Sequence, residues 1–337
     1  MTMFGEKGLV VINSNRTMPV TITVAVVAAI VAIFAPRFFV SLDISPESSQ
    51  VGEAGEIPGQ AQNHDASRHG DALLSPMLAI RHITHDEFNQ AIANPRPYDI
   101  DGFIMAGVVP HHITAATMIS GFFSQASAFA DYYDLVIILG PNHTGDLANV
   151  VLSYRDWGVG EGVFTHRGFV NDLMYEHNIS TVICHYRSEV DHSASILIPF
   201  IYHYLPGVEV ASVLLNRSLN FGETLYLYWW ISEWVNRSGK NVLLVASIDF
   251  SHFLTPAQAM ARDRITTDAI LNGDYRFIHG LNYHYLDSAA AMIIFMKYLE
   301  WLGISPQIID HADASEFLGP GLDETTSYKI IVGTRPT

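Results

Sequence analysis

The chain has a single cysteine, Cys184, so it carries neither an intrachain disulfide framework nor a Cys-x-x-Cys zinc or redox motif. Histidine and carboxylate are the strong metal ligands left to it. Cations are also scarce: 18 Lys and Arg stand against 34 Asp and Glu, a formal net charge of -16 at pH 7. That balance disfavours binding driven by nucleic acid phosphate or an anionic lipid surface. No Gly-x-Ser-x-Gly elbow, no Walker loop and no Gly-x-Gly-x-x-Gly after a strand occurs. Serine hydrolase, NTPase and dinucleotide enzyme therefore lack support, as does a His-Glu-x-x-His zinc hydrolase.

What is present is apolar bulk and histidine. At 337 residues and 49% hydrophobic, the chain can bury one large α/β domain and still carry accessory segments. Residues 18–35 hold no charge. As a helix they would span roughly 27 Å, close to the hydrocarbon thickness of a bilayer. Lys7 and Arg16 precede this run and Arg37 follows it, a weak lean toward a single pass with the large domain on the outer side. A cleaved signal is the rival reading, but Ile33 at the minus-three position and Pro36 after Ala35 make a poor cleavage site. The expected organisation is a tail at 1–17, a membrane anchor at 18–40 and a Ser-, Glu-, Gly- and Pro-rich tether at 41–75. A globular domain at 76–337 completes it.

Within that domain, buried-type apolar runs at 102–109, 135–139 and 242–248 read as strands covered on both faces. Further strands are expected at 149–154, 209–215, 307–311 and 327–332. Helical patterns fall at 85–93, 113–130, 167–177, 194–205, 221–236, 256–271 and 286–302. The fold class expected is a three-layer α/β sandwich with a largely parallel or mixed central sheet, preceded by one transmembrane helix.

Three of the strands are followed at once by histidine-bearing turns. These are Pro110-His111-His112, Gly140-Pro141-Asn142-His143 and Asp249-Phe250-Ser251-His252. Strand ends on one rim of a parallel sheet are where such folds present ligands. Asp191-His192, before another apolar segment, adds a fourth imidazole and a second carboxylate. Imidazoles and a carboxylate on separate loops suit a divalent metal with an open position, Fe(II) or Zn(II). Each of these residues also has an ordinary reading, as a turn-capping His or a self-stabilising Asp-x-Ser-His turn. His64, His69, His82 and His85 read as surface residues.

Taken together, Pro-His-His, Leu-Gly-Pro-Asn-His-Thr-Gly, Asp-His-Ser before Ile-Pro-Phe, and Ser-Ile-Asp-Phe-Ser-His resemble the Memo family. That family includes the bacterial and archaeal proteins called AmmeMemoRadiSam system protein B. The resemblance runs from about Gly102 to Gly333 and implies a fold similar to the LigB-type extradiol dioxygenases, whose iron is held by two histidines and a carboxylate. It implies metal ligands at His111 and His143, with Asp249 or His252 completing the set, and a catalytic role for His192 beside Asp191. His112, Asn142 and Ser251 are then expected to face substrate or to support the ligands. Two departures stand out: Ser251 where some animal members carry cysteine, and Ser195 where many members carry Glu. The resemblance implies a metal-dependent oxidoreductase or, alternatively, a non-catalytic metal- or ligand-binding module. Its system name implies radical SAM and AMMECR-like partners.

Overall fold

A computed structural model describes residues 77–336, apart from Asp146 and His177. Its ten strands are β1 (Leu78–Ala79), β2 (Phe103–Val109), β3 (Leu135–Pro141), β4 (Val150–Leu152), β5 (Trp157–Gly158), β6 (Thr181–Ile183), β7 (Glu209–Leu215), β8 (Val242–Ser247), β9 (Gln307–Asp313) and β10 (Ser327–Arg335). β1 and β5 pair in a small parallel ribbon. The other eight form one sheet in the order β6-β4-β7-β3-β8-β2-β10-β9.

The centre of that sheet is a parallel quartet, β7-β3-β8-β2. Every residue of β3 and β8 is buried, which is why their sequences run apolar without alternation. Both faces are covered. On one, the helices Phe221–Ser238 and Ala289–Leu302 pack Leu227, Ile231, Phe295 and Leu299 against the sheet. On the other, Ala116–Ala126 and Ile198–Tyr204 supply Phe122, Phe123 and Phe200. Each fully buried side chain of this kind contributes roughly 1.5–3 kcal/mol of transfer free energy. The edges are mixed, because β10 runs antiparallel to both β2 and β9, and β4 antiparallel to β7.

Register sets the site. Val109 pairs with Ser247, Leu139 with Ala246 and Pro141 with Leu215, so the chain leaves β2, β3, β7 and β8 at nearly one level. The turns that follow must share a rim.

The membrane expectation is corrected. Among the described residues no helix is long and apolar enough to cross a membrane. The longest, Phe221–Ser238, has 18 residues but carries Glu223, Glu233 and Arg237. The expected span and tether lie outside the described residues. The fold class is therefore a mixed α/β sandwich, and the single-pass membrane protein with its domain on the outer side is not supported.

Smaller differences have local causes. The helix expected at 194–205 is two short helices, His192–Ser195 and Ile198–Tyr204, the second with Pro near its start. The helix expected from 286 begins at Ala289, because Ser288 caps it by accepting a hydrogen bond from Ala291 N. Leu286 and Asp287 are thereby left outside the helix.

Candidate metal centre

His111 lies at the middle of the rim and is almost wholly buried, 1% exposed. Its backbone N–H donates to Asp249 Oδ1 at 3.0 Å, which ties the turn after β2 to the turn after β8. Ser247 Oγ donates to the Ser193 carbonyl, so it receives the Nδ1–H of His111 at 3.1 Å. That relay fixes the tautomer. In neutral His111 the lone pair is on Nε2, the nitrogen a metal would need.

Nε2 has no hydrogen-bond partner, although it is fully buried. It lies 2.9 Å from Asp287 Oδ2 and 3.9 Å from Asp249 Oδ2, close in distance but misaligned, so these contacts act as charge pairing. Asp287 Oδ1 is likewise buried without a partner. Burial alone would lower the basicity of His111. The facing carboxylates of Asp249 and Asp287 overcome it, and the pKa is pushed up to about 9. Asp249, itself buried, is held below the usual carboxylate range despite desolvation, by His111, His252 and the His111 N–H.

His143 reaches the same point from the end of β3. Asp191 grips it twice, accepting its backbone N–H at Oδ2 and its Nδ1–H at Oδ1, both at 2.9 Å. This carboxylate–imidazole pair leaves Nε2 as the free lone pair and makes it a better donor. Desolvation works against the Asp191 charge, but these bonds and the one from Ser193 N hold its pKa far below normal.

Gly140 explains why the motif before His143 needs glycine. A Cβ there would lie 2.5 Å from Ser193 Oγ and 2.7 Å from Ser193 Cβ, so only glycine lets the His192 turn close on β3.

That closure stacks His192 on His143 with centroids 4.0 Å apart, and sets it 5.1 Å from His111. Burial, together with His111 and His143, pushes the His192 pKa down to about 3. A neutral imidazole of this kind is ready to ligate and is a poor base. One donor nitrogen from each of His111, His143 and His192 lies within 4.8 Å of the others, and a second such group joins His111, Asp249 and Asp287. Both groups share His111.

His143, His192, Asp249 and Asp287 line a cavity of about 500 Å³, with His111 buried behind them. His112, Asn142 and His252 line it, but their polar atoms are engaged locally. His112 Nδ1 caps a turn by accepting from Thr114 N, Asn142 Oδ1 accepts from Thr144 Oγ1, and His252 Nδ1 faces the Tyr283 carbonyl. Ser251 points elsewhere, with its hydroxyl bonded to Asp263 Oδ1 at 2.8 Å. At the cavity wall Arg217 sits 5.4 Å over the Tyr283 ring. Phe253, 63% exposed, holds a left-handed backbone with φ of 56°, a strained conformation for a bulky residue.

Several members of this arrangement escaped sequence reasoning. Asp287 sits in no histidine motif, and its one signal is the Asp-Ser pair before an apolar helix, which reads as a cap. Ser247 looks like the last residue of an apolar strand. His82, taken for a surface residue, bonds Ser195 Oγ at 2.7 Å and packs 5.7 Å from His192.

Fold and site together define a mixed α/β sandwich that gathers imidazoles and carboxylates at the carboxyl ends of its parallel strands. A family model described as Memo-like protein matches residues 87–331, and the chain belongs to that family. The resemblance carried by the four histidine motifs is thereby confirmed. Among curated relatives, a MEMO1 family protein of Pyrobaculum arsenaticum is 24% identical over 242 residues, covering 68% of this chain and 83% of its own. One from Desulfurococcus amylolyticus is 23% identical over 259 residues, covering 71% and 84%. A solved structure of an uncharacterized protein from Escherichia coli K12 aligns at 9% identity and a TM-score of 0.46, over 68% of this chain and 99% of that one.

Proposed function

We propose that this Memo-like domain holds one divalent metal ion on His111 Nε2, His143 Nε2 and His192, and presents it to a small substrate in the cavity above. The observation that carries the reading is the buried Nε2 of His111, which Ser247 leaves as the lone pair of the neutral ring and which faces two other imidazole donors. Three neutral nitrogens with carboxylates close by suit Fe(II) or Zn(II); without a thiolate nearby nothing favours Cu(I). When bound, such a metal would supply Lewis-acid or one-electron chemistry at an open position.

The chain's own residues have separable tasks in this reading. Asp191 orients His143, and Ser247 orients His111. Asp249 and Asp287 hold a proton at His111 while the metal is away. Arg217 and His252 line the route by which a substrate enters. A second reading, a metal-binding module without turnover, has one observation in its favour. His192 is too weakly basic to act as the acid or base expected at that position, and Asp191 is committed to His143.

The test is elemental analysis of the protein purified without a histidine tag, followed by Zn(II) titration of the wild type and of His143→Ala. One equivalent of metal, with affinity at least tenfold weaker in the variant, is expected. A metal-free protein that resists reconstitution, or equal affinity in the two, refutes the proposal. If metal binds, oxygen consumption and small-molecule turnover assays separate the enzyme from the module.

A further inference from the structure

We propose that Lys329, His311 and Arg264 form a second site that binds a small oxyanion, a phosphate or carboxylate group, at the β9–β10 edge of the sheet. Its lining shares no residue with that of the histidine cavity.

The site follows from register. Lys329 of β10 and His311 of β9 are direct partners in an antiparallel pair, so their side chains stand on one face about 5 Å apart at Cβ. The helix Pro256–Leu271 crosses that face, and Met260, Arg264 and Asp268, at four-residue spacing, fall on one side of it. Together these residues enclose a cavity of about 370 Å³.

Lys329 is the unexpected member. It is 2% exposed, yet among the described residues its ammonium has no hydrogen bond and no carboxylate within 4.0 Å, and its close neighbour is the Phe250 ring at 5.4 Å. Asp263, the obvious candidate, is committed elsewhere. Its Oδ1 takes the Ser251 hydroxyl, and its Oδ2 takes His311 Nε2 at 2.6 Å. Asp310 is committed to Arg96 and Tyr98. Burial outweighs the longer-range pull of the Asp263 and Asp310 carboxylates on this ammonium, and the Lys329 pKa is brought down to about 8.

The Asp263 bond takes the Nε2–H of His311, so its Nδ1 donates to a ligand only when the ring is protonated. Arg264 meets only the weak acceptor Met260 Sδ, at 3.6 Å. The cavity lining sets the Lys329 ammonium and the Arg264 guanidinium against Asp268, with Asp263 held by His311, and an oxyanion would give both cations the charge-assisted hydrogen bonds they lack.

Inorganic phosphate and acetate, each titrated calorimetrically into the full chain at pH 7, test the site. Saturable binding of at least one anion is expected, weakened at least tenfold in Lys329→Met. The tighter of the two names the ligand class. Arg264→Gln, on the exposed rim, should weaken it too, which keeps the test open if the buried variant does not fold. His143→Ala should bind the anion as the wild type does. No saturable binding, equal binding in the Lys329 and Arg264 variants (an adventitious ion only), or a loss confined to His143→Ala would each overturn the proposal.

Discussion

Metal binding should expel one proton from His111 at pH 7, and apparent affinity should climb about tenfold per pH unit until pH 9. Nδ1–H is spent on Ser247, so any further proton on this ring sits on Nε2, between the imidazole and the Asp287 and Asp249 carboxylates. Those carboxylates outweigh burial and hold the group at about 9, against an ordinary 6.5. At pH 7 only about one molecule in a hundred has Nε2 free, a penalty of roughly 3 kcal/mol that vanishes above pH 9. His192, at about 3, is already neutral and adds no slope.

Calorimetric Zn(II) titrations between pH 6 and 9.5, in buffers of different ionisation enthalpy, measure both the slope and the proton count. Affinity that is flat from pH 6 to 9, with no His111-dependent proton release, would refute the assignment of Nε2 as ligand. The same proton acts on the stability of the metal-free protein. Because the folded pKa is raised, its contribution is complete below pH 6.5 and is lost as pH rises through about 9, up to roughly 3 kcal/mol in all.

Three further outcomes follow from single contacts. Asp191→Asn removes the charge that orients His143 and should weaken metal binding about 10- to 100-fold, read by the same titration while the thermal transition stays cooperative. Ser251→Ala should leave metal affinity nearly unchanged but cost about 1–3 kcal/mol in urea unfolding, because it strips a buried hydrogen bond from Asp263. Gly140→Ala should cost about 1–3 kcal/mol by overpacking and also weaken metal binding, since Ser193 must retreat and takes His192 with it; a variant with wild-type affinity would show that the turn tolerates the shift.

The parallel centre of the fold was legible because β2, β3, β7 and β8 are buried on both faces and their sequences show it. The short edge elements were not. β6 is three residues, Thr181–Ile183, and is preceded by no turn signal that distinguishes it from loop. The antiparallel direction of β10 was equally hidden, since residue type does not record which way a buried strand runs. The N-terminal apolar run shows the opposite hazard. Hydropathy there is strong, but hydropathy alone does not establish a spanning helix, and the described helices supply none.

At the site, His111 and His143 were legible because each sits just after a strand, where register decides which of them meet, whereas His192 starts a short helix and was legible through its Asp-His-Ser motif. What sequence could not supply was the division of labour among the carboxylates. Asp191 and Asp249 both stand beside histidines in motifs, yet Asp191 clamps His143 at its outer nitrogen while Asp249 and the unsuspected Asp287 face His111 Nε2. The two groups of metal-type donors therefore compete for one nitrogen. Asp191 already fixes His143 in the ligating orientation, and nothing comparable pre-sets Asp287, whose Oδ1 is bare and whose Oδ2 also accepts a 3.3 Å bond from Asp249 N. The pre-oriented imidazoles thus favour the three-histidine set. The carboxylates are left to hold the polar group of a ligand beside it.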